Sequence, residues 1–263
     1  MLRSRFIRLA PLAVAVAVLA AACGSNDDNS SNGSSASGSA TEIKVFAAAS
    51  LTAAFGKIGQ DFTAANPNTK VTFNFAGSQA LATQIQQSAP ADVFASADTT
   101  NMGKVSSLVN TPTNFSSNLL QIVVAKGNPK GIKTLSDLSH PDAKVVLAAP
   151  DVPAGKYAAQ ALSAQHVTVK PVSLEDNVKA VITKVSLGEA DAGIVYVTDV
   201  TAGGDKVEGV DIPNSQNVVA TYPIATVKAS THQSQAQSFM DMVTSDRGQQ
   251  VLKSFGFLPP PSS

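Results

Sequence analysis

From residue 41 onward the apolar positions switch repeatedly between a period of two and a period near 3.6, and each switch marks a new element. Ile43, Val45 and Phe46 form a β-branched and aromatic run that passes through Ala47-Ala48-Ala49 into Ser50, after which Leu51, Ala54, Phe55, Ile58 and Phe62 recur at helical spacing. This predicts a strand, a tight turn and a helix with Ser50 as its N-cap. Val71, Phe73 and Phe75 alternate as a strand that runs into Ala76-Gly77-Ser78, and Leu81 and Ile85 continue it as a helix capped by Ser78. Residues 93–97 read as a short buried strand bracketed by Asp92 and Asp98. Asp98 is placed to cap the helix that holds Met102 and Val105, and Asp92 to bridge a loop.

The second half repeats the arrangement. A strand over 119–125 ends at Gly127-Asn128-Pro129, a short helix covers 135–138, and a buried strand over 144–148 runs into Pro150-Asp151-Val152-Pro153-Ala154-Gly155, with a helix from about Gly155. Glu175-Asp176-Asn177-Val178 opens a helix with acidic residues at its positive end. Residues 193–199 read as a buried strand carrying Tyr196 at its C-terminal side; Val218, Val219 and 222–227 read as strands, and two helices, one with Phe239, Met242 and Val243 and one over 249–255, close the chain. Strands alternating with helices throughout predict an α/β fold with mainly parallel sheets flanked by helices.

The first forty residues follow neither period. Arg3, Arg5 and Arg8 precede an apolar run over 9–22, short for a membrane span but suited to a secretory signal. The run ends Leu19-Ala20-Ala21-Ala22-Cys23-Gly24, which resembles the lipobox of bacterial lipoproteins, with Leu19 one position further from the cysteine than in the usual pattern. The reading is a signal peptide over 1–22, lipidation at Cys23 and a Ser-, Gly- and Asn-rich flexible linker up to residue 40, placing the protein outside the cytoplasm on a membrane anchor.

Composition narrows the chemistry. The 263 residues are 44% hydrophobic, enough for a sizeable core, and Lys plus Arg balances Asp plus Glu at 19 each, without the basic stripe of a nucleic-acid surface. Cys23 is the only cysteine, so an internal disulfide or a Cys-based metal site is excluded, and His140, His166 and His232 are scattered. No metal site, cofactor or catalytic residue is expected. A hydrolase built on Ser50 or Ser78 would need a G-x-S-x-G elbow and a histidine at a strand end, and the sequence offers neither. An adhesion module would have no use for convergent small-residue corners.

Those corners are the candidate site. Helix starts follow strand ends near Ser50, Ser78 and Ala154, another helix opens near Glu175, and Tyr196 ends another strand; Ser50, Ser78, Ala154 and Tyr196 are all uncharged. Open α/β sheets bind ligands beyond the carboxyl ends of their strands, and free N–H groups at helix starts suit an anion.

The stretches Val45-Phe46-Ala47-Ala48-Ala49-Ser50-Leu51, Phe75-Ala76-Gly77-Ser78, Ala89-Pro90-Ala91-Asp92-Val93-Phe94-Ala95-Ser96-Ala97-Asp98, Val152-Pro153-Ala154-Gly155-Lys156-Tyr157-Ala158 and Gly193-Ile194-Val195-Tyr196 together resemble the molybdate-binding proteins that feed ABC importers. The resemblance implies a two-lobed periplasmic binding protein fold of type II with the ligand in the interlobe cleft. Lobe 1 would be 41–118 plus 223–263 and lobe 2 would be 119–222. It also implies molybdate, and tungstate with it, held by the hydroxyl and N–H of Ser50 and of Ser78, the N–H groups of Ala154 and Val178, and the Tyr196 hydroxyl. Gly77 and Gln79 around Ser78 depart from relatives that carry further small hydroxyl residues there. The implied partners are the membrane permease subunits of an importer, and the implied state is a monomer. The nearest alternative is the same fold tuned to sulfate, phosphate or another oxyanion.

Overall fold

The computed structural model describes residues 40–261; the expected signal peptide, Cys23 and the linker as far as residue 39 lie outside the described residues. The order is β1 (Thr41–Ala48), α1 (Thr52–Ala65), β2 (Thr69–Ala76), α2 (Ser78–Gln86), β3 (Val93–Ala95), α3 (Thr99–Lys104), β4 (Thr113–Ala125), β5 (Val145–Ala148), α4 (Pro153–Ala164), β6 (Ser173–Glu175), α5 (Val178–Ser186), β7 (Ala192–Tyr196), α6 (Val197–Gly203), β8 (Val207–Asp211), β9 (Val219–Thr226), α7 (Gln233–Thr244) and α8 (Asp246–Ser254). The strands join in the order β2-β1-β3-β9-β4-β7-β5-β6, with β8 on β4.

Each wing carries the parallel pairings that the alternating pattern predicts, β1 with β2 and β3, and β5 with β6 and β7. All the pairings of β4 and β9 are antiparallel. Val45 to Ala48 of β1 are buried without alternation, as a parallel strand covered on both faces requires. Helix α1 lays Phe55, Ile58 and Phe62 on this wing, and Phe115 and Phe239 meet Phe55 with ring centroids 5.7 and 5.9 Å away.

Strand β4 joins the wings. Residues 113–119 pair with β9, whereas 120–125 pair with β7 and β8. It begins six residues before the apolar run that announced it, because Ser116, Ser117 and Asn118 are buried polar residues. The Ser116 hydroxyl donates to the Leu258 carbonyl (2.8 Å), the Ser117 hydroxyl to the Pro259 carbonyl (2.6 Å), and the Asn118 amide to the Thr198 hydroxyl (2.8 Å). Hydrogen-bonded in this way, polar side chains occupy an interior strand without alternation to betray it.

Local expectations met mixed outcomes. Asp98 caps α3, accepting the Asn101 N–H at 2.9 Å, and Asp92 bridges Lys44 and Ser230. Ser50 caps nothing: it lies inside a 3₁₀ turn (Ala49–Leu51) leading into α1. Ser78 is the first residue of α2, after Gly77, and its oxygen accepts the Ala97 N–H at 3.0 Å. Both hydroxyls are drawn away from their own helices by partners that the sheet brings close. Helix α5 is capped by Asn177, while Glu175 lies in β6 and pairs with Lys184 at 2.8 Å. Strand β7 stops at Tyr196, and 197–203 turn into α6, where Asp199 accepts the Tyr196 N–H at 3.1 Å.

Candidate anion site at the strand ends

The C-terminal ends of β1, β3 and β7 and the starts of α2, α4 and α5 converge on one small cavity. It is lined by Ala48, Ala49, Ser50, Gly77, Ser78, Ala97, Val152, Pro153, Ala154, Val178 and Tyr196, so all five residues expected from the sequence come together there. It is small, with room for a ligand only a few atoms across. None of the lining side chains is charged.

Each corner is built for close approach. A Cβ at Gly77 would run into the carbonyl oxygen of Asp176, just before α5, and one at Gly155 into the Ala148 and Ala149 carbonyls. Pro153 opens α4 where an N–H would have no helical partner, which leaves the next N–H groups facing outward.

The three hydroxyls are buried. The Ser50 oxygen lies 3.0 Å from the Tyr222 hydroxyl, and Ser78 accepts from Ala97, which leaves its own hydrogen free. Tyr196 is 1% exposed, and its hydroxyl has no hydrogen-bond partner among the described residues. Burial above all, then the neighbouring Tyr222, Tyr157, Asp199 and Asp98, pushes its pKa well above 10, so it remains a donor. Among the described residues neither serine hydroxyl has a histidine partner, as a nucleophile would need.

Charge stays at the rim. Asp98 is buried beside Ala97, and the Lys156 ammonium reaches it at 3.0 Å while also donating to the Thr100 hydroxyl at 2.5 Å. Gln79 donates to the Asp176 carbonyl at 2.8 Å. Among the described residues no group of His, Cys, Asp and Glu could hold a metal ion. Sequence reasoning singled out Gln79 beside Ser78 and placed hinges near Asn118 and Tyr222, but gave Tyr222, Asn118 and Lys156 no contact at this site. Tyr222 reads as a strand residue before Pro223 at a crossover between lobes, and its contact with Ser50 spans 172 positions, which no local spacing reveals.

The sequence pattern of bacterial extracellular solute-binding proteins matches residues 43–258. The chain belongs to that family. Within this solute-binding family, the chain is 44% identical over 242 residues to the molybdate-binding protein ModA of Mycobacterium bovis, covering 91% of this chain and 92% of the relative. The periplasmic molybdate-binding protein of Azotobacter vinelandii superposes with a TM-score of 0.70 at 17% identity, covering 83% of this chain and all of that one. The sulfate-binding protein SubI of Mycobacterium tuberculosis superposes with a TM-score of 0.75 at 21% identity, covering 83% of this chain and 87% of that one. At those identities the two structures establish a shared fold. The small uncharged cavity at the strand ends is thus set in a solute-binding scaffold.

Proposed function

We propose that this protein captures molybdate outside the cytoplasm and delivers it to the permease of an ABC importer. The observation that carries this reading is the convergence of uncharged donors, with the buried, unpartnered Tyr196 hydroxyl among them, on a cavity a few atoms wide. Ser50, Ser78, Tyr196 and the N–H groups of Ala154 and Val178 bind the oxyanion. Each hydrogen bond to a charged partner contributes about 1.5–3 kcal/mol, so the hydroxyl and N–H groups of these residues together supply roughly 10–20 kcal/mol against association costs of about 4–15 kcal/mol. Molybdate and tungstate are tetrahedral dianions that only accept hydrogen bonds, and a site with donors alone suits both. The relative named for molybdate favours them over sulfate.

Residues 41–118 with 223–263 form one lobe and 119–222 the other, hinged near Asn118 and Tyr222. Ser50 and Ser78 then face Ala154, Val178 and Tyr196 across the cleft, and bound ligand favours closure because only the closed state completes the donor set. The protein works as a monomer without a cofactor. Lipidated Cys23 tethers it to the membrane, and Cys23→Ser releases it into the soluble fraction; retention of that variant on membranes argues against the anchor. Calorimetric titration with molybdate in excess sulfate tests the ligand: one tight site is expected, and no binding, or displacement by sulfate, refutes it.

A further inference from the structure

Two buried carboxyls stand beside the uncharged cavity, and they are compensated differently. Asp98, next to the lining residue Ala97, is fully buried and has the Lys156 ammonium at 3.0 Å. Asp199, three residues past the lining residue Tyr196, is 5% exposed, and among the described residues its carboxyl accepts one hydrogen bond, from the Tyr196 N–H at 3.1 Å. It lines a larger neighbouring cavity that shares Ala49 and Ser50 with the small one. Lys179 of α5 lines that second cavity too, but it is exposed, and its attraction is outweighed by burial of the carboxyl. The wall made by residues 49–54, Phe255 and Phe257 carries no charge. The other charged groups on the elements around α6 are engaged or exposed: Lys184 pairs with Glu175 at 2.8 Å and Lys126 with Glu208 at 3.2 Å, Asp211 accepts the Gln121 amide at 2.6 Å, and Asp205 and Lys206 stand in an exposed turn. Burial keeps the nearby phenols of Tyr196 and Tyr222 neutral, and it raises the pKa of Asp199 to about 7.

We propose that Asp199 is a proton-carrying positioning residue: it holds the Tyr196 backbone by the N–H it accepts, and it takes up a proton from solvent when an oxyanion enters the cavity, so that no uncompensated carboxylate faces the ligand. This rests on the reading of the cavity as an oxyanion site and adds how binding there depends on pH. A dianion close to a carboxylate in a poorly hydrated interior raises the proton affinity of that carboxylate, as a second carboxylate does. Linkage makes the effect mutual. Affinity is highest where Asp199 already carries its proton, and it falls as pH rises past 7, by tenfold for each pKa unit that the ligand adds to the carboxyl.

The test is calorimetric titration of the whole chain with molybdate at pH 7.5 in buffers of different ionisation enthalpy, and then from pH 6 to pH 9, on the parent and on Asp199→Asn. The asparagine keeps an oxygen for the Tyr196 N–H and cannot ionise. For a ligand-induced rise of about one pKa unit, about half a proton enters per molybdate at pH 7.5, and affinity falls about tenfold from pH 6 to pH 9. Asp199→Asn is expected to bind without proton uptake and with one affinity across that range. Infrared difference spectra of the parent read the same step without a variant, as a gain in protonated-carboxyl absorption when molybdate is added. Binding by the parent without proton uptake, or uptake that survives in Asp199→Asn, overturns the inference and leaves the oxyanion site standing. A parent chain that binds neither molybdate nor sulfate overturns the proposed function and the inference together. If sulfate alone binds, the titrations are read with sulfate against the same criteria.

Discussion

The ammonium of Lys156, in the first turn of α4, lies 3.0 Å from the carboxylate of Asp98, which caps α3, and so ties the two sides of the cavity together. Asp98 is buried, whereas Lys156 is 27% exposed at its side chain, so the pair lies between the exposed and the buried extremes. Exposed pairs contribute about 0–1 kcal/mol, while breaking buried ones costs about 3–5 kcal/mol. Lys156→Met is expected to weaken molybdate binding about tenfold, because it loosens the α4 corner and leaves a buried carboxylate less compensated beside an anion. Titration checks this, and an unchanged dissociation constant would mean that the pair is incidental to binding.

Tyr196→Phe separates binding from stability. The hydroxyl is buried and unpartnered, so its removal is expected to leave the melting temperature of the ligand-free protein unchanged or slightly raised. Loss of a hydrogen bond to a charged ligand is expected to weaken molybdate binding by about 1.5–3 kcal/mol. Thermal melts with and without molybdate read both effects on one sample.

Gly77→Ala acts by bulk. Gly77 has φ −59° and ψ 138°, which alanine adopts freely, so the backbone tolerates the change. The added methyl meets the Asp176 carbonyl, which cannot step aside as a flexible side chain can. Molybdate affinity is expected to drop by tenfold or more with little change in the ligand-free melt. Equal affinity would show that the two corners need not approach as closely as here.

Asp199 carries a signature in pH. Burial raises its pKa to about 7, against the lowering effects of the Tyr196 N–H and of Lys179. The folded state therefore holds this proton at pH values where the unfolded chain, with an ordinary aspartate near 3.9, has lost it. Its contribution to stability is present below about pH 4 and is lost as pH rises towards 7. Asp199→Asn, which cannot ionise, is expected to gain melting temperature relative to the parent at pH 8 and to gain less at pH 5. A difference that is constant with pH would place the titration elsewhere.

The cavity was legible in the sequence because its makers are local. A β-branched run giving way to small residues and then to a helical period names a strand end and a helix start together, which singles out Ser50, Ser78 and the corner at Ala154, whereas the full set with Val178 and Tyr196 came from the resemblance to molybdate-binding proteins. What was illegible depends on residues distant in the chain. The cap roles of Ser50 and Ser78 failed because Tyr222 and Ala97, brought by other strands, took the hydroxyls. The first half of β4 was hidden by Ser116, Ser117 and Asn118, whose polarity is matched by partners from Leu258, Pro259 and Thr198. Strand β8 escaped notice because its burial alternates around exposed Gly209 and it rests on a single neighbour, β4.

That same first half of β4 sets an order on biosynthesis. As the chain leaves the ribosome, residues 113–119 emerge long before β9, their ladder partner, and longer still before Leu258 and Pro259, which receive the Ser116 and Ser117 hydroxyls. The wing that carries β1, β2 and β3 therefore cannot complete its sheet and its Ser116 and Ser117 hydrogen bonds until residues 219–259 have joined it, and a chain cut short before β9 leaves that strand edge open.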